Sequence, residues 1–312
     1  MNKLRIIFMG TPEFSVNVLQ GLISNYDVIG VVTQPDKEVG RKHEIKFSPV
    51  KELALKNDIR VFQPIKIKED YADIVKLNPD MIVTCAYGQL IPKVLLDLPK
   101  YGCINVHASL LPKLRGGAPI HKAIINNYTR TGVTIMYMVE KMDAGDIISQ
   151  IDTPIYPNDD VGILHDRLSE MGTKLLLDTI PNIISGNINP IKQKDEEVTY
   201  AWNITREEEK IDFSKDTIDI YNQIRGLNPW PGAYAILDGN VVKIYKSRIS
   251  ESFFTTKKDG EIGKLYDDGI GISTHDGEII ITELQFAGKR KMSAKEYLNG
   301  VKPENLIGKV FE

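Results

Sequence analysis

Continuous apolar runs in the first half of the chain constrain its fold more than any other feature. Helix-like segments separate the runs, and the residues within each run are apolar on both sides of an extended chain. Strands of this kind must be covered on both faces, which is typical of a parallel sheet in an α/β domain. The runs lie at residues 4–9, 28–32, 81–86, 102–106 and 132–138. We therefore predict a mostly parallel sheet with helices on both faces.

Periodicity also predicts two helices in this half of the chain. The first follows the opening strand, with Thr11 as its N-cap and Pro12 at its first helical position. The second is a long amphipathic helix over residues 161–184, which Gly186 ends. In open α/β sheets, ligands bind at the carboxyl ends of the strands. Residues that directly follow the apolar runs are therefore the first candidates for a functional site.

The second half of the chain has a different pattern. From about residue 204 a helix-like segment is followed by short apolar pieces with glycine-containing turns between them, which predict a small barrel or sandwich. These pieces lie at residues 233–237, 241–245, 270–273 and 278–282. We predict a first domain over residues 1–187, a linker over 188–205 and a second domain over 206–312.

Asn105 and His107 stand two residues apart at the end of the fourth run. In a strand, this spacing places both side chains on the same side. The pair suits acyl transfer, because an amide and an imidazole can both donate to a developing oxyanion and the imidazole can also carry a proton. A polar pair with only a capping or turn role fits the same pattern, so spacing alone leaves both interpretations open.

A carboxylate partner for this pair is available in the glycine-containing loop after the fifth run. Asp143 and Asp146 both lie in that loop. Either carboxylate could favour the protonated form of a neighbouring imidazole or relay a proton through water. Spacing does not choose between them, and either could simply cap the turn.

Several other kinds of site are disfavoured. Gly10 opens the turn where a dinucleotide fingerprint would stand, but neither GxGxxG nor a P-loop motif is present. Ser109 lacks the GxSxG elbow of a hydrolase nucleophile. The histidines show no metal-ligand spacing, so we expect no metal.

Charge and cysteine usage indicate the compartment. The formal net charge of −3 argues against a generally basic polyanion binder. Cys85 and Cys103 stand in apolar, strand-like segments without a CxxC motif, as buried thiols do in a reducing compartment. The chain has neither a signal-peptide pattern nor a run of about 18 apolar residues. We expect a cytoplasmic monomer with no membrane partner.

Basic residues cluster at two places that would suit a polyanion. Arg41 and Lys42 stand in a polar loop after the second run. Lys243, Lys246 and Arg248 form a candidate basic face in the second domain. A solvated surface of mixed charge explains both clusters at least as well from composition alone.

Residues 105–119 resemble the signature of the formyltetrahydrofolate-dependent transferases, with its Asn-x-His and Ser-Leu-Leu-Pro elements. Residues 143–146 resemble the second catalytic loop of that family. By this resemblance Asp143, rather than Asp146, is the catalytic carboxylate. The resemblance extends over nearly the whole chain. It implies a Rossmann-like catalytic domain followed by a C-terminal OB-like β-barrel that helps to hold tRNA.

Four further segments resemble the family members that act on tRNA: residues 8–14, 33–51, 86–92 and 228–233. The implied reaction moves the formyl group of 10-formyltetrahydrofolate to the α-amino group of methionyl-initiator tRNA. Amino-sugar nucleotide formyltransferases share the catalytic core and can share the Pro-Trp-Pro-Gly motif of the second domain. They therefore remain the alternative for the acceptor.

The resemblance also implies roles for individual residues. The loop with Arg41 would contact the acceptor end of the tRNA. The folate site would be formed by Tyr87, Gly88, Gln89, Leu90, Ile91, Ser109, Leu110, Leu111 and Pro112. An inert RNA-binding protein on the same scaffold is a further alternative, and retention of Asn105, His107 and Asp143 argues against it.

Overall fold

A computed structural model of the protein describes residues 3–39, 44–251 and 258–312. The chain forms two compact units, each assembled from separated segments. The first unit comprises Met1–Pro119, Arg130–Pro154 and His165–Trp202. The second unit comprises Ile120–Thr129, Ile155–Leu164 and Asn203–Glu312.

A seven-stranded sheet forms the centre of the first unit. The strands of this unit are β1 (Arg5–Gly10), β2 (Asp27–Val32), β3 (Lys37–Val39), β4 (Glu44–Lys46), β5 (Val61–Phe62), β6 (Met81–Cys85), β7 (Cys103–His107), β8 (Arg130–Tyr137) and β9 (Ile147–Pro154). The sheet order is β5-β2-β1-β6-β7-β8-β9, and β3 pairs only with β4. The first five strands in that order are parallel, whereas β8 and β9 are antiparallel to their neighbours.

The mostly parallel sheet predicted from the apolar runs is therefore confirmed, with one difference at the fifth run. That run forms β8, which is buried along almost its whole length but runs antiparallel to β7. A continuous apolar run indicates that both faces of a strand are covered. It does not indicate the direction of the strand, because the side chains are buried equally in either direction.

Helices lie between and after these strands along the chain. They are α1 (Phe14–Asn25), α2 (Pro49–Lys56), α3 (Ala72–Val75), α4 (Lys93–Leu96), α5 (Pro119–Ile125) and α6 (Val161–Ser185). The long predicted helix is confirmed as α6. The predicted N-cap of α1 is wrong, because Glu13 precedes the helix and makes no side-chain cap bond. The Thr11 hydroxyl instead donates to the carbonyl oxygen of Tyr87, at 3.3 Å, and so joins the end of β1 to the loop after β6.

The polar loop after β2 is a hairpin formed by β3 and β4. Its base is fixed by polar contacts. The hydroxyl oxygens of Thr33 and Ser48 lie 2.8 Å apart, and Lys51 forms an ion pair with Asp36. Ser48 also caps α2 by accepting a bond from the backbone N–H of Lys51, at 3.1 Å. The two ends of the hairpin are thereby held next to the start of α2.

The second unit is built around an antiparallel sheet of short strands, as its glycine-punctuated sequence predicts. The strands are β10 (Ala233–Leu237), β11 (Asn240–Ile249), β12 (Ile262–Tyr266), β13 (Gly269–Ser273), β14 (Glu278–Phe286) and β15 (Met292–Ser293). The order is β10-β11-β14-β13-β12, with β15 paired to β14. The helices of this part of the chain are α7 (Arg206–Glu209), α8 (Thr217–Gly226) and α9 (Ala294–Leu298).

The last residues of the chain join the two outer strands of this sheet. Phe311 donates its backbone N–H to Gly260, just before β12, at 2.8 Å. Glu312 exchanges two backbone bonds with Ile236 of β10, at 2.8 and 2.9 Å. The Phe311 ring is 4% exposed and packs against Phe213 in the core of the unit. These bonds link residues 311 and 312 to both edges of the sheet, whose strand order itself stays open from β10 to β12.

Both cysteines are free and buried, as predicted. Burial raises the pKa of the Cys85 thiol to about 12, because the thiolate cannot be hydrated in the core. Among the helices of the described chain, none is both long enough and apolar enough to cross a membrane.

We expect Phe311→Ala to destabilise the second unit by about 3–5 kcal/mol, because it empties a core position and loosens the segment that joins β10 to β12. Urea unfolding followed by circular dichroism measures this loss. Glu312→Ala is the matched control, since it keeps the backbone bonds to Ile236 and removes an exposed side chain. Its effect should stay within about 0.5 kcal/mol. Equal effects of the two substitutions would contradict this role of Phe311 in joining the two sheet edges.

Candidate active site

Asn105 and His107, the predicted polar pair, both lie at the carboxyl end of β7, beside the carboxyl end of β6. The two strands are parallel neighbours, and Thr84 of β6 lies opposite Asn105 of β7. His107 is the last residue of β7 and lies opposite Thr134 of β8. Asn105 and His107 therefore share one side of the strand, as their spacing predicts.

The amide of Asn105 is oriented by a buried hydroxyl. Thr84 Oγ1 donates to Asn105 Oδ1 at 2.8 Å, and Thr84 is 2% exposed. No described residue accepts a bond from Asn105 Nδ2. Because the amide oxygen is held by Thr84, both N–H groups of the amide nitrogen remain available to a ligand.

The two nitrogens of the His107 ring have different environments. Nε2 lies 3.0 Å from the carbonyl oxygen of Leu114. A carbonyl can only accept, so Nε2 carries a hydrogen and donates it. Nδ1 lies 3.8 Å from Asp143 Oδ2, and the two side chains are 6% and 14% exposed. Both ring nitrogens thus face oxygen acceptors, the Leu114 carbonyl at Nε2 and the Asp143 carboxylate at Nδ1.

The backbone around Asp143 places its carboxylate beside that ring. Asp143 has a left-handed conformation, with φ of 48°, and its Oδ2 accepts a bond from the backbone N–H of Gly116 at 2.8 Å. Asp146, which spacing left as the competitor, accepts a main-chain bond from Tyr137 at the start of β9. The structure therefore brings Asp143 together with His107, in agreement with the resemblance.

The loop after β6 holds the first group of predicted folate residues. The carbonyl oxygen of Tyr87 accepts from Gln34 Nε2 at 2.9 Å, and burial raises the pKa of the Tyr87 phenol. Gly88 has φ of 88°, a conformation that favours glycine. Leu90 is 52% exposed and Ile91 is buried in the core. Leu90 is thus a large apolar side chain of this loop that a ligand can reach.

Gln89, in the same loop, makes structural contacts. Its Oε1 accepts from the backbone N–H of Ile67 at 2.8 Å, and its Nε2 donates to Gln34 Oε1 at 3.2 Å. The amide therefore joins the loop after β6 to the chain before α3.

Thr134 fixes the second group of predicted folate residues, 109–112, which follow β7. Its hydroxyl donates to the carbonyl of Ser109 at 2.7 Å and accepts from the N–H of Leu111 at 3.1 Å. Gln150 Nε2 donates to the carbonyl of Leu111 at 2.9 Å and to the Thr134 hydroxyl at 2.8 Å. The segment after β7 is thus held on the antiparallel strands β8 and β9.

The structure describes only some of the residues that were predicted to bind a polyanion. Arg41 and Lys42 lie outside the described residues. On β11, Lys243 donates to the carbonyl of Pro231, and Lys246 lies 3.5 Å from Glu283 Oε2. Arg248 makes two bonds of 2.9 Å to Asp268 and thereby lowers the pKa of that carboxyl. These cations share one strand, but carboxylates within the unit already pair two of them.

Four polar residues that hold the site were not predicted: Thr84, Thr134, Arg115 and Gln193. The two threonines interrupt apolar runs. This position could have identified them as polar residues of the site, because a buried hydroxyl needs a hydrogen-bond partner. Arg115 follows an apolar residue within the signature, where its burial was not apparent. Gln193 lies in the segment predicted to be a linker. In the described part of the chain, no cluster of His, Cys, Asp and Glu is arranged to hold a metal ion.

Comparison with known proteins finds the same family for both halves. Residues 3–180 match the family described as formyl transferase, and residues 203–302 match its C-terminal domain. A protein from Geobacillus sp. (strain WCH70), named methionyl-tRNA formyltransferase, is 54% identical over 98% of this chain and 97% of its own length.

Solved structures are similar over most of the chain. The N-formyltransferase from Helicobacter canadensis, in complex with folinic acid and dTDP-3-aminofucose, is 26% identical with a TM-score of 0.65, over 90% of this chain and 99% of that one. HypX from Aquifex aeolicus is 21% identical with a TM-score of 0.65, over 97% of this chain. The chain spans about half the length of HypX (49%).

Gly145 provides a test of the loop that carries Asp143. A Cβ atom at this position would lie 1.8 Å from the carbonyl oxygen of Tyr137. Gly145→Ala must therefore displace the backbone, and we expect a loss of about 1–3 kcal/mol in urea unfolding. Gly300→Ala is the control, because its nearest atom would be 3.7 Å away. A Gly145→Ala protein as stable as the control would show that this close backbone approach is not made.

Proposed function

We infer from membership of the formyl transferase family, to which this chain belongs, that it transfers a formyl group to the α-amino group of methionyl-tRNA. The observation that carries this inference is the 54% identity, over nearly the full length of both chains, to a methionyl-tRNA formyltransferase. The first unit supplies an amide, an imidazole and a carboxylate at one sheet edge, as acyl transfer requires.

The donor is 10-formyltetrahydrofolate, and the acceptor is methionyl-initiator tRNA. The amine nitrogen forms a bond to the formyl carbon, and the bond from that carbon to N10 of the folate breaks. One proton leaves the amine and one joins N10, so that charge and atoms balance. The attacking amine must be neutral. A free α-amine titrates near about 8, which leaves a substantial neutral fraction close to neutral pH.

Asn105 stabilises the tetrahedral intermediate in this mechanism. Its Oδ1 is occupied by Thr84, so Nδ2 is the atom that donates to the formyl oxygen as negative charge develops there. The bond from Thr84 is made before substrate binds, and the donor therefore needs little reorganisation.

His107 and Asp143 handle the proton. The Leu114 carbonyl holds His107 Nε2, which leaves Nδ1 to exchange protons with the reacting groups. The nearby carboxylate of Asp143 stabilises the cationic ring that results. The pair thus accepts the amine proton and returns a proton to the departing folate nitrogen.

The folate lies against the loops after β6 and β7, which follow neighbouring parallel strands. The contacts come from residues 87–91 and 109–112. Hydrogen bonds from Gln34 and from Thr134 to backbone carbonyl oxygens hold the two loops in place. A donor bound there lies beside Asn105 and His107.

The tRNA contacts come from the hairpin loop and from the second unit. Arg41 and Lys42 approach the acceptor end, while Lys243, Lys246 and Arg248 face the phosphates. Where a carboxylate already pairs the cation, a phosphate must displace it, so binding weakens steeply with salt. We assign catalysis to residues 1–187 and tRNA binding to residues 206–312 of a cytoplasmic monomer. The connecting residues 188–205 belong to the first unit as far as Trp202.

Asn105→Ala tests the catalytic assignment. Loss of one oxyanion donor of this kind typically lowers kcat by about 100–1,000-fold. We expect such a loss in a formylation assay, with formyl-folate binding by calorimetry within about threefold of wild type. Asn127→Ala, at a surface turn, is the control and should keep full activity. A kcat for Asn105→Ala near that of wild type would refute the assignment.

The acceptor is tested by single-turnover formylation with 10-formyltetrahydrofolate. Charged initiator tRNA should be formylated, and a UDP-amino sugar at the same concentration should not. The reverse result would assign the chain to the amino-sugar nucleotide formyltransferases. Binding of tRNA without any formylation would instead indicate an inert RNA-binding protein on this scaffold.

A further inference from the structure

Arg115 is a buried cation between Leu114 and Gly116, the residues that contact His107 and Asp143. Its side chain is 1% exposed, and its Nε and Nη2 donate to Gln193 Oε1 at 3.0 and 2.7 Å. Among the described residues, Nη1 has no hydrogen-bond partner, and the guanidinium makes no ion pair. A buried charge without a counter-charge is costly, so this arrangement is not explained as a simple source of stability.

The amide of Gln193 uses all of its hydrogen-bonding capacity. Its oxygen receives the two bonds from Arg115. Its Nε2 donates to the carbonyl oxygens of Asp143 and Gly145, both at 2.8 Å. Two donors face the oxygen and two acceptors face the nitrogen, so this network fixes the orientation of the amide. Gln193 therefore connects Arg115 to the backbone of the loop that carries the Asp143 carboxylate.

A closed set of bonds results, because the other side of Asp143 returns to the same segment. The Asp143 carboxylate accepts from the N–H of Gly116, which follows Arg115 in the chain. Asp143 is thus held at its carbonyl by Gln193 and at its carboxylate by Gly116. Its backbone is left-handed, a conformation that costs energy for a residue other than glycine and needs such support.

The same part of the chain also holds the partner of His107. Leu114, whose carbonyl accepts from the ring, donates its own N–H to Thr199 Oγ1 at 2.9 Å. Arg115 donates its backbone N–H to the carbonyl of Thr199 at 2.9 Å, and its carbonyl accepts from Ala201 at 2.7 Å. Residues 193–201 therefore contact the supports of both His107 and Asp143.

We propose that Gln193 and Arg115 are positioning residues, which set the Asp143 carboxylate against His107 for proton transfer. The segment predicted to be a linker then forms part of the catalytic machinery. This inference rests on the proposed role of Asp143. Neither residue touches the reacting atoms, so their loss should lower kcat while leaving the affinity for both substrates almost unchanged.

Gln193→Glu separates this role from simple anchoring. A glutamate keeps the acceptor for Arg115 and supplies the missing counter-charge, but it cannot donate to the carbonyls of Asp143 and Gly145. Gln193→Met, of similar size, loses both sets of bonds. We expect both variants to lose about 10- to 100-fold in kcat, as a misplaced catalytic group does. The KM values for formyl-folate and tRNA should stay within about twofold.

Gln223 offers a matched control in the second unit. Its Nε2 also donates to two carbonyl oxygens, of Glu208 and Lys210, both at 2.9 Å. Gln223→Glu therefore makes the same chemical change in the unit that does not contain His107, and should leave kcat within about twofold. Circular dichroism melting identifies a temperature at which every variant is folded, and all rates are compared there.

The outcomes are distinct. Full activity of Gln193→Glu with a loss only in Gln193→Met would mean that Gln193 merely anchors Arg115, and would overturn the proposal. Raised KM values with unchanged kcat would also overturn it. Failure of Gln193→Glu to fold leaves Gln193→Met as the test, with kcat of the folded protein as its readout. A wild-type enzyme that does not formylate methionyl-tRNA would refute the proposed function instead.

Discussion

Parallel hydrogen bonding among β1, β6 and β7 brings segments that are far apart in the sequence to the same edge of one sheet. Thr84 lies opposite Asn105 because β6 and β7 pair in that register, and a slip of one residue would turn the hydroxyl to the other face. The orientation of the Asn105 amide therefore depends on strand pairing as well as on its own side chain. The orientation of this amide is thus set when the sheet forms.

The antiparallel strands add a second constraint. β8 lies beside β7, so that Thr134 can hold the segment that leaves the sheet after His107. A further parallel strand would have needed a crossover connection, whereas β8 and β9 follow one another through the short loop that contains Asp143. The change of direction at β8 thus places the carboxylate next to the imidazole.

Much of this arrangement could be predicted from sequence, and the rest could not for physical reasons. Runs that are apolar on both faces of an extended chain identified the strands. The two-residue spacing of Asn105 and His107 placed both side chains on one side of their strand. Spacing could not choose between Asp143 and Asp146, because the choice depends on the left-handed backbone at Asp143 and the N–H of Gly116. Gln193 was missed because its partners lie about 50 and 78 residues away in the chain. A polar segment has no periodicity that would reveal such contacts.

The bonding of residues 311 and 312 to both sheet edges of the second unit has a consequence for synthesis on the ribosome. The bonds that join residues 311 and 312 to Gly260 and Ile236 form only after these two residues have left the exit tunnel. The first unit needs the chain only as far as Trp202. Domains generally fold as units during synthesis, with N-terminal ones first. The first unit can therefore be complete while the second unit is still a sheet with two unpaired edges, a form that exposes strands to aggregation.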